Sequence, residues 1–115
     1  MLFLHYPKCT TCKKAAAWLK EKGISCESRD IKTNNPTAQE LKTWIAKSGL
    51  PIRKFFNTSG LLYREMNLKD KLAGMTDEEM IQTLASDGML VKRPLLVGDD
   101  FVCVGFQEAQ WEKQI

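Results

Sequence analysis

The chain has 115 residues, a length that accommodates one domain of ordinary size. Hydrophobic residues make up 43% and charged residues 27% of the sequence, the balance of a globular protein rather than of a disordered or fibrous one. Lys and Arg number 17 against 14 Asp and Glu, so the net charge is +3, and the charges are interleaved along the chain. Without a basic block or a long apolar run, the sequence argues against a nucleic-acid-binding tail and a membrane span.

The N-terminal third of the chain alternates between strand and helix signals. Residues 2–6 form a short apolar run that stops at Pro7, which predicts a buried strand. Apolar residues at helical spacing predict a helix that begins near Cys12 and ends at Gly23. Residues 24–31 then alternate in polarity and predict a second strand.

The middle of the chain is predicted to be helical. Two capping boxes, in which a threonine precedes a glutamate by three residues, mark helix starts at Thr37 and Thr76. These helices are predicted to end at Gly49 and near residues 87–88, where glycine favours termination. A polar stretch with helix-forming residues predicts one further helix over residues 61–72.

The C-terminal part of the sequence predicts a hairpin followed by a helix. Two apolar runs, residues 95–97 and 101–104, flank the turn-forming residues 98–100, and residues 107–114 predict the helix. The resulting order is β-α-β, a helical middle and β-β-α, the layout of an α/β thioredoxin-like fold of the glutaredoxin type. We therefore expect the 115-residue chain to be one domain with a helical insertion over residues 37–88.

Cys9 and Cys12 form a C-x-x-C pair at the junction of the first strand and helix. The thiolate is the reactive form of cysteine, and the free N–H groups and dipole of a helix N-terminus favour it. The flanking residues Lys8, Lys13 and Lys14 add positive charge. We predict that Cys9 attacks a disulfide and that Cys12, one turn further and more buried, resolves the mixed disulfide. The alternative is a chance pairing of two packed cysteines.

The remaining cysteines carry no comparable pattern. Cys26 and Cys103 stand alone and are interpreted as packed thiols. A structural zinc site normally has four Cys or His ligands, but a second pair is missing and the only histidine, His5, lies in an apolar run. We therefore expect no metal and no cofactor. The three tryptophans lie at helical core spacing and are interpreted as packing residues.

Arg93 and Pro94 stand immediately before the predicted hairpin. In a thioredoxin-like fold, a proline at this position packs beside the reactive cysteine and is often cis, an isomer that X-Pro bonds tolerate. Arg93 is then predicted to point its guanidinium at the Cys9 thiolate and to offer a donor fork for an oxyanion or carboxylate. The alternative is a surface arginine before a turn proline.

The sequence resembles the ArsC/Spx family of thioredoxin-like proteins over nearly its whole length. The resemblance rests on Tyr-Pro-Lys-Cys-Thr-Thr-Cys-Lys-Lys-Ala at residues 6–15, on the inserted helices and on Lys-Arg-Pro-Leu at residues 92–95. Residues 54–60 are similar to those of small, uncharacterised ArsC-like proteins of Gram-positive bacteria. We predict as catalytic residues Cys9, Cys12 and Arg93, and as substrate-binding residues Lys8, Thr10, Thr11 and Pro94.

The glutaredoxin-linked arsenate reductases of this family use one attacking cysteine, which Cys9 matches, and three arginines that hold the oxyanion. Arg93 matches one arginine, whereas the other two positions correspond to Asn57 and to the neighbourhood of Val104. The resemblance therefore implies weak arsenate binding, because two charges are missing. Cys12 stands near the usual position of a serine, which implies an internal disulfide instead of reliance on external glutathione.

The Spx branch of the family has a C-x-x-C switch and binds the α subunit of RNA polymerase. Cys9 and Cys12 match the switch, and Arg93 matches the arginine thought to couple with it. Spx-like binding also involves a glycine near the end of the first inserted helix, and Gly49 lies close to that position. The resemblance thus implies RNA polymerase α as a candidate partner.

Three functions follow from these observations. The first and favoured one is a thiol–disulfide oxidoreductase that acts on a protein or low-molecular-weight disulfide, with glutathione, glutaredoxin or thioredoxin as candidate reductant. The second is a redox-gated regulator that binds RNA polymerase α without turnover, and the third is arsenate reduction. We expect no direct contact with nucleic acid or membrane, and a cytoplasmic location because no signal peptide is recognisable.

Overall fold

Four short strands form one mixed sheet in the structure, a computed structural model that describes residues Met1–Ile115. The strands lie in the order β2-β1-β3-β4, with β1 parallel to β2 and antiparallel to β3, and with β3 antiparallel to β4. The predicted β-α-β and β-β-α units are both present. The strands are β1 (Leu2–His5), β2 (Glu27–Asp30), β3 (Leu95–Val97) and β4 (Val102–Val104).

Six helices accompany the sheet, and four of them lie in the segment between β2 and β3. Short 3₁₀ turns at Ile52–Phe55, Leu72–Gly74 and Gly88–Leu90 complete that segment. None of the helices combines the length and the apolar character needed to cross a membrane. The helices are α1 (Thr10–Glu21), α2 (Ala38–Ser48), α3 (Leu61–Glu65), α4 (Leu68–Lys71), α5 (Asp77–Ser86) and α6 (Glu108–Gln114).

Alternate residues of each strand face opposite sides of the sheet, and helices cover both sides. Phe3 and Leu96 pack in a cluster with residues of α1 and α6. Their neighbours Leu4 and Leu95 pack in a larger cluster with residues of α2 and α5. Burial on both faces explains why β1, β3 and β4 are largely apolar, whereas β2, at the edge of the sheet, consists of polar residues that are exposed or half-buried. The predicted packing role of the tryptophans is confirmed, since these clusters contain Trp18, Trp44 and Trp111.

Helices α2 and α5 begin and end where local sequence signals predict. At the start of α2 the Glu40 N–H donates to the Thr37 hydroxyl at 3.1 Å, and Glu40 accepts the Thr37 N–H at 3.0 Å. The same reciprocal bonds form at Thr76, before α5. Gly49 ends α2 with a φ of 70°, in the left-handed region that glycine tolerates best.

Two predicted elements are wrong in extent. The second strand starts at Glu27 rather than at residue 24, because the Ile24 N–H donates to the Leu19 carbonyl at 2.9 Å and so terminates α1. The helix predicted over residues 61–72 is instead α3, α4 and the beginning of a 3₁₀ turn. Asn67 separates α3 from α4 with a φ of 53°, a left-handed conformation that a continuous helix excludes.

Contacts at both ends of the helical segment join it to residues in or directly after β2. Arg29 makes two charge-assisted bonds to the Glu40 carboxylate of α2, at 2.7 and 2.9 Å. After α5, Gly88 passes so close to Ile31 that a Cβ at residue 88 would lie 1.8 Å from the Ile31 carbonyl oxygen. This close approach delivers the residues before β3 to the end of the sheet where α1 begins.

Candidate functional site

Cys9 occupies the turn between β1 and α1 and is the N-cap residue of the helix. Its Sγ accepts the backbone N–H of Cys12 at 3.4 Å, and its own N–H donates to the Tyr6 carbonyl at 2.9 Å. The helix therefore begins at Thr10, two residues earlier than predicted, because the cysteine sulfur takes the capping role usually filled by an oxygen. The first turn of α1 thus directs the backbone N–H of Cys12 at the Cys9 sulfur.

Cys12 lies one turn further along α1 and is only 2% exposed. The backbone N–H of Tyr6 donates to its Sγ at 3.5 Å. The predicted difference in burial is confirmed, because Cys9 is only half-buried. Both cysteines are free thiols, with the attacking candidate facing outwards and the resolving candidate beneath it.

The pKa values of the two thiols are shifted in opposite directions. Burial acts to raise the pKa of Cys9, but the backbone N–H and side chain of Cys12 and the positive charge of Arg93 prevail, so that its pKa lies below the ordinary value. Burial raises the pKa of Cys12 to about 12, and the adjacent Cys9 contributes in the same direction against the opposing Tyr6 N–H. The pair therefore holds one accessible thiolate-forming sulfur and one protonated reserve thiol.

Arg93 approaches this pair from the residues that precede β3. Its Cζ lies 5.2 Å from the centroid of the Tyr6 ring, and its Nη1 makes a long hydrogen bond of 3.4 Å to the Met89 carbonyl. The Arg93 Nε is buried and has no hydrogen-bond partner. The Arg93–Pro94 peptide bond is cis, as the sequence permits, and Pro94 is buried. The structure thus brings a positive charge, with unused hydrogen-bonding capacity, to the reactive turn.

The other predicted substrate-binding residues surround Cys9 in sequence. Lys8, Thr10 and Thr11 are exposed on the turn and the first turn of α1. Lys13 and Lys14 are also exposed, and the groups that lower the pKa of Cys9 are Cys12 and Arg93. Substrate contacts by Lys8, Thr10, Thr11 and Pro94 stay a prediction.

Asn57 and Val104, which the family resemblance matches to two arginines of the arsenate reductases, carry no charge. Asn57 is 8% exposed and accepts a 3.5 Å hydrogen bond from Ser59 on its side-chain oxygen. Asn57 and Arg93 line the same cavity of about 270 Å³. Val104 ends β4. One guanidinium, rather than three, therefore serves the reactive turn.

The two lone cysteines differ from each other. Cys103 is 1% exposed within the core, as predicted, and burial raises its pKa. Cys26 is only half-buried and lines a groove together with His5, although burial raises its pKa as well.

His5 stacks on Phe3 with the ring centroids 5.1 Å apart. The chain contains no cluster of three or more His, Cys, Asp or Glu side chains arranged to hold a metal ion.

Two residues of the site were not singled out from the sequence. Tyr6 supplies a backbone N–H to Cys12 and an aromatic face to Arg93, and Met89 supplies the carbonyl that receives the guanidinium. The aromatic residue directly before Pro7 and Lys8 was a usable signal for Tyr6. The Met89 contact uses a backbone atom, so no side-chain pattern could have revealed it.

Comparison with known proteins identifies the family. The ArsC family model matches residues 4–114, and the chain belongs to this family. The uncharacterised protein YusI of Bacillus subtilis is 50% identical over 113 residues, which cover 98% of this chain and 96% of YusI. An ArsC family related protein from Bacteroides fragilis has a crystal structure with a TM-score of 0.97 at 55% identity, over 99% of this chain and 96% of the other. The expected thioredoxin-like fold is confirmed.

More distant relatives have two kinds of function in their names. The global transcriptional regulator Spx of Enterococcus faecalis is 26% identical, over 89% of this chain and 76% of that protein. An arsenate reductase of Rhizobium meliloti is 29% identical, over 81% of this chain and 65% of that protein. Regulators and reductases are both homologues, so the choice between them depends on the site itself.

Proposed function

We propose that the protein is a thiol–disulfide oxidoreductase in which Cys9 attacks and Cys12 resolves. The observation that carries this proposal is the placement of the two thiols: Cys9 Sγ is half-exposed at the start of α1 and accepts the Cys12 N–H, and the Cys12 thiol is buried one turn further on. The pKa directions agree with it, lowered at Cys9 and raised at Cys12. A nucleophile and a reserve thiol in one turn are what a two-step exchange requires. Two unreactive core cysteines would share the raised pKa of Cys103.

In the first step, the Cys9 thiolate attacks one sulfur of the substrate disulfide. A bond forms between Cys9 Sγ and that sulfur while the substrate S–S bond breaks, and the second substrate sulfur leaves as a thiolate that takes a proton. Arg93 stabilises the attacking thiolate by its charge. Lys8, Thr10, Thr11 and Pro94 form the surroundings that the incoming disulfide contacts.

In the second step, Cys12 replaces the substrate on Cys9. Once Cys9 is in a mixed disulfide, its negative charge no longer raises the pKa of Cys12, and burial is the main cause that is left. Cys12 loses its proton, attacks Cys9 Sγ and releases the substrate thiolate, which is protonated. Two electrons have then passed from the protein dithiol to the substrate disulfide, and a glutathione, glutaredoxin or thioredoxin thiol system reduces the Cys9–Cys12 disulfide in the cytoplasm.

The site favours disulfides over arsenate. A tetrahedral oxyanion is held by several charged donors, whereas Arg93 is the single guanidinium at the reactive turn and Asn57 and Val104 are uncharged. An exchange between sulfur atoms creates no comparable oxyanion. The lack of two arginines therefore weakens arsenate reduction without weakening disulfide reduction.

A redox-gated regulator is the second candidate, and the homology to Spx favours it. In this case the same Cys9–Cys12 oxidation would alter binding to RNA polymerase α instead of serving turnover. Retention of the chain by the purified polymerase α C-terminal domain, with a difference between the reduced and oxidised chain, would support it. Equal failure to bind in both redox states would exclude it.

The test of the main proposal is a single-turnover reaction between the reduced chain and a model peptide disulfide, followed by mass spectrometry. We expect the wild-type chain to lose two hydrogens as the peptide is reduced, and Cys12→Ser to accumulate a covalent adduct on Cys9. Cys26→Ser is the matched control and should behave as wild type. Wild-type rates in Cys9→Ser would contradict the proposal.

A further inference from the structure

A groove of about 470 Å³ is lined by Lys92, the residue directly before Arg93. Three cationic side chains line it, those of Arg53, Lys54 and Lys92, and none of its lining residues is acidic. Neither of the two ion pairs in the chain involves these side chains. We call this cavity the basic groove; its other lining residues are Leu50, Phe56, Thr58, Val104 and Gln107.

The charge of the basic groove is not a general property of this surface. The neighbouring groove, of about 800 Å³, shares Arg53 and also has Lys42, but Asp77 and Glu78 balance its charge. The basic groove therefore concentrates three positive charges in a chain whose net charge is +3. Uncompensated charge lining a concave surface attracts ligands of the opposite sign.

The basic groove shares a wall with the cavity beside Arg93. The Lys92 N–H donates to the Phe55 carbonyl at 2.7 Å, and the Asn57 N–H donates to the Leu90 carbonyl at 2.8 Å, so two short segments run side by side. Successive residues of this wall line different cavities. Lys92 lines the basic groove, whereas Arg93 and Asn57 line the cavity of about 270 Å³.

A second connection runs through Pro94. Its carbonyl accepts the Gly105 N–H at 2.9 Å, and Val104, the preceding residue, lines the basic groove. Lys92 and Val104 thus bring the groove to the same end of the sheet as the reactive turn.

We propose that the basic groove binds acidic side chains of a polypeptide substrate that presents its disulfide to Cys9. This inference rests on the proposed function and specifies the substrate class. Arg53, Lys54 and Lys92 supply partners for carboxylates, and the half-buried Leu50 and Val104 supply apolar contacts for the aliphatic parts of the segment.

Charge complementarity favours an acidic polypeptide over glutathione as the occupant. Glutathione carries an α-ammonium group besides its carboxylates, and the basic groove has no acidic residue to receive that cation. An internal polypeptide segment rich in Glu or Asp has no such group. Its negative charges match those of Arg53, Lys54 and Lys92 without leaving a positive charge unpaired.

The test compares two peptides with the same disulfide, one flanked by glutamates and the other by glutamines at the same positions. The groove variant Lys54→Gln/Lys92→Gln loses two charges, and Lys69→Gln/Lys71→Gln, at two exposed positions of α4, is its charge-matched control. We expect the groove variant to lower kcat/KM about tenfold for the glutamate peptide, mainly through KM, and to leave the glutamine peptide unchanged. Added salt should reduce the preference of the wild type for the glutamate peptide.

The outcomes separate this inference from the proposed function. Equal effects of the groove and control variants, or no preference of the wild type between the peptides, would overturn the groove assignment. A matching loss with oxidised glutathione as substrate would overturn the assignment to a polypeptide. Bis(2-hydroxyethyl) disulfide has no charge, so the groove variant and its control should both reduce it at the wild-type rate. Failure of the wild type with every disulfide would instead refute the oxidoreductase function.

Discussion

The start of α1 and the interior of the sheet both contain a cysteine, but the pKa is lowered at Cys9 and raised at Cys103. At Cys103 burial raises the pKa without an opposing group. At Cys9 burial acts in the same direction, yet the Cys12 N–H and the charge of Arg93 reverse the result. Reactivity is therefore a property of the helix N-terminus and of the cation that the chain brings to it, and not of the residue type.

Removal of the attacking sulfur should have the largest effect in this comparison. We expect Cys9→Ser to reduce turnover of a peptide disulfide to the uncatalysed rate, on the order of 10³-fold or more, because a serine hydroxyl cannot replace a thiolate in exchange. Steady-state assays with dithiothreitol as reductant measure this loss. Substantial activity in Cys9→Ser would show that another cysteine is the nucleophile.

Loss of Cys12 should be the next largest effect. Without a resolving thiol, the mixed disulfide on Cys9 must wait for an external thiol, so turnover becomes dependent on its concentration. We expect Cys12→Ser to lower turnover roughly a hundredfold at low dithiothreitol and to recover as dithiothreitol is raised. Turnover that is insensitive to this substitution would show that Cys9 works alone.

Arg93 should have an intermediate effect that depends on pH. Since its positive charge stabilises the Cys9 thiolate, Arg93→Met should raise the pKa of Cys9 and slow its alkylation by iodoacetamide several-fold at neutral pH. The rates of variant and wild type should converge at alkaline pH, where the thiol is ionised in both. Arg93→Lys keeps the charge and should lie between them; superimposable pH profiles of Arg93→Met and wild type would remove Arg93 from the account.

The smallest effect on activity is expected for substitution of Cys103, which should instead lower the free energy of unfolding. Cys103→Ala deletes a buried sulfur from the core, so we expect the free energy of unfolding to fall by about 1–2 kcal/mol. Urea unfolding measures this change, while turnover per folded molecule should equal that of the wild type. Reduced turnover of the folded variant would break the contrast between the two regions.

The parts of the fold that could be predicted from the sequence depend on local signals. The capping threonines Thr37 and Thr76 fix helix starts through bonds to residues three positions away, and Gly49 ends α2 through its own backbone conformation. The break at Asn67 had no such signal, because a helix-forming stretch continues on both sides. Ile24 was assigned to a strand by its apolar character, although its N–H is used to end α1.

The candidate site shows the same division. Cys9 and Cys12 are recognisable from their spacing, and Arg93 from its proline neighbour. The role of Tyr6 depends on tertiary placement, since its ring meets the Arg93 guanidinium only after residues 88–93 fold back to the sheet. Met89 is only four residues from Arg93, but it contributes a backbone carbonyl, which no side-chain pattern reveals. The basic groove likewise collects Arg53, Lys54 and Lys92 from segments that are distant in sequence, and interleaved charges along the chain give no sign of this cluster.

The central claim is that Cys9 and Cys12 form a reversible redox couple. Equilibration of the chain with glutathione redox buffers, followed by acid quenching, thiol alkylation and mass spectrometry, measures the potential of this pair directly. We predict an internal Cys9–Cys12 disulfide that is half-formed near the cytosolic poise, roughly −200 to −320 mV. If no internal disulfide formed at any glutathione ratio, the pair would not be a redox couple and the proposed mechanism would be contradicted.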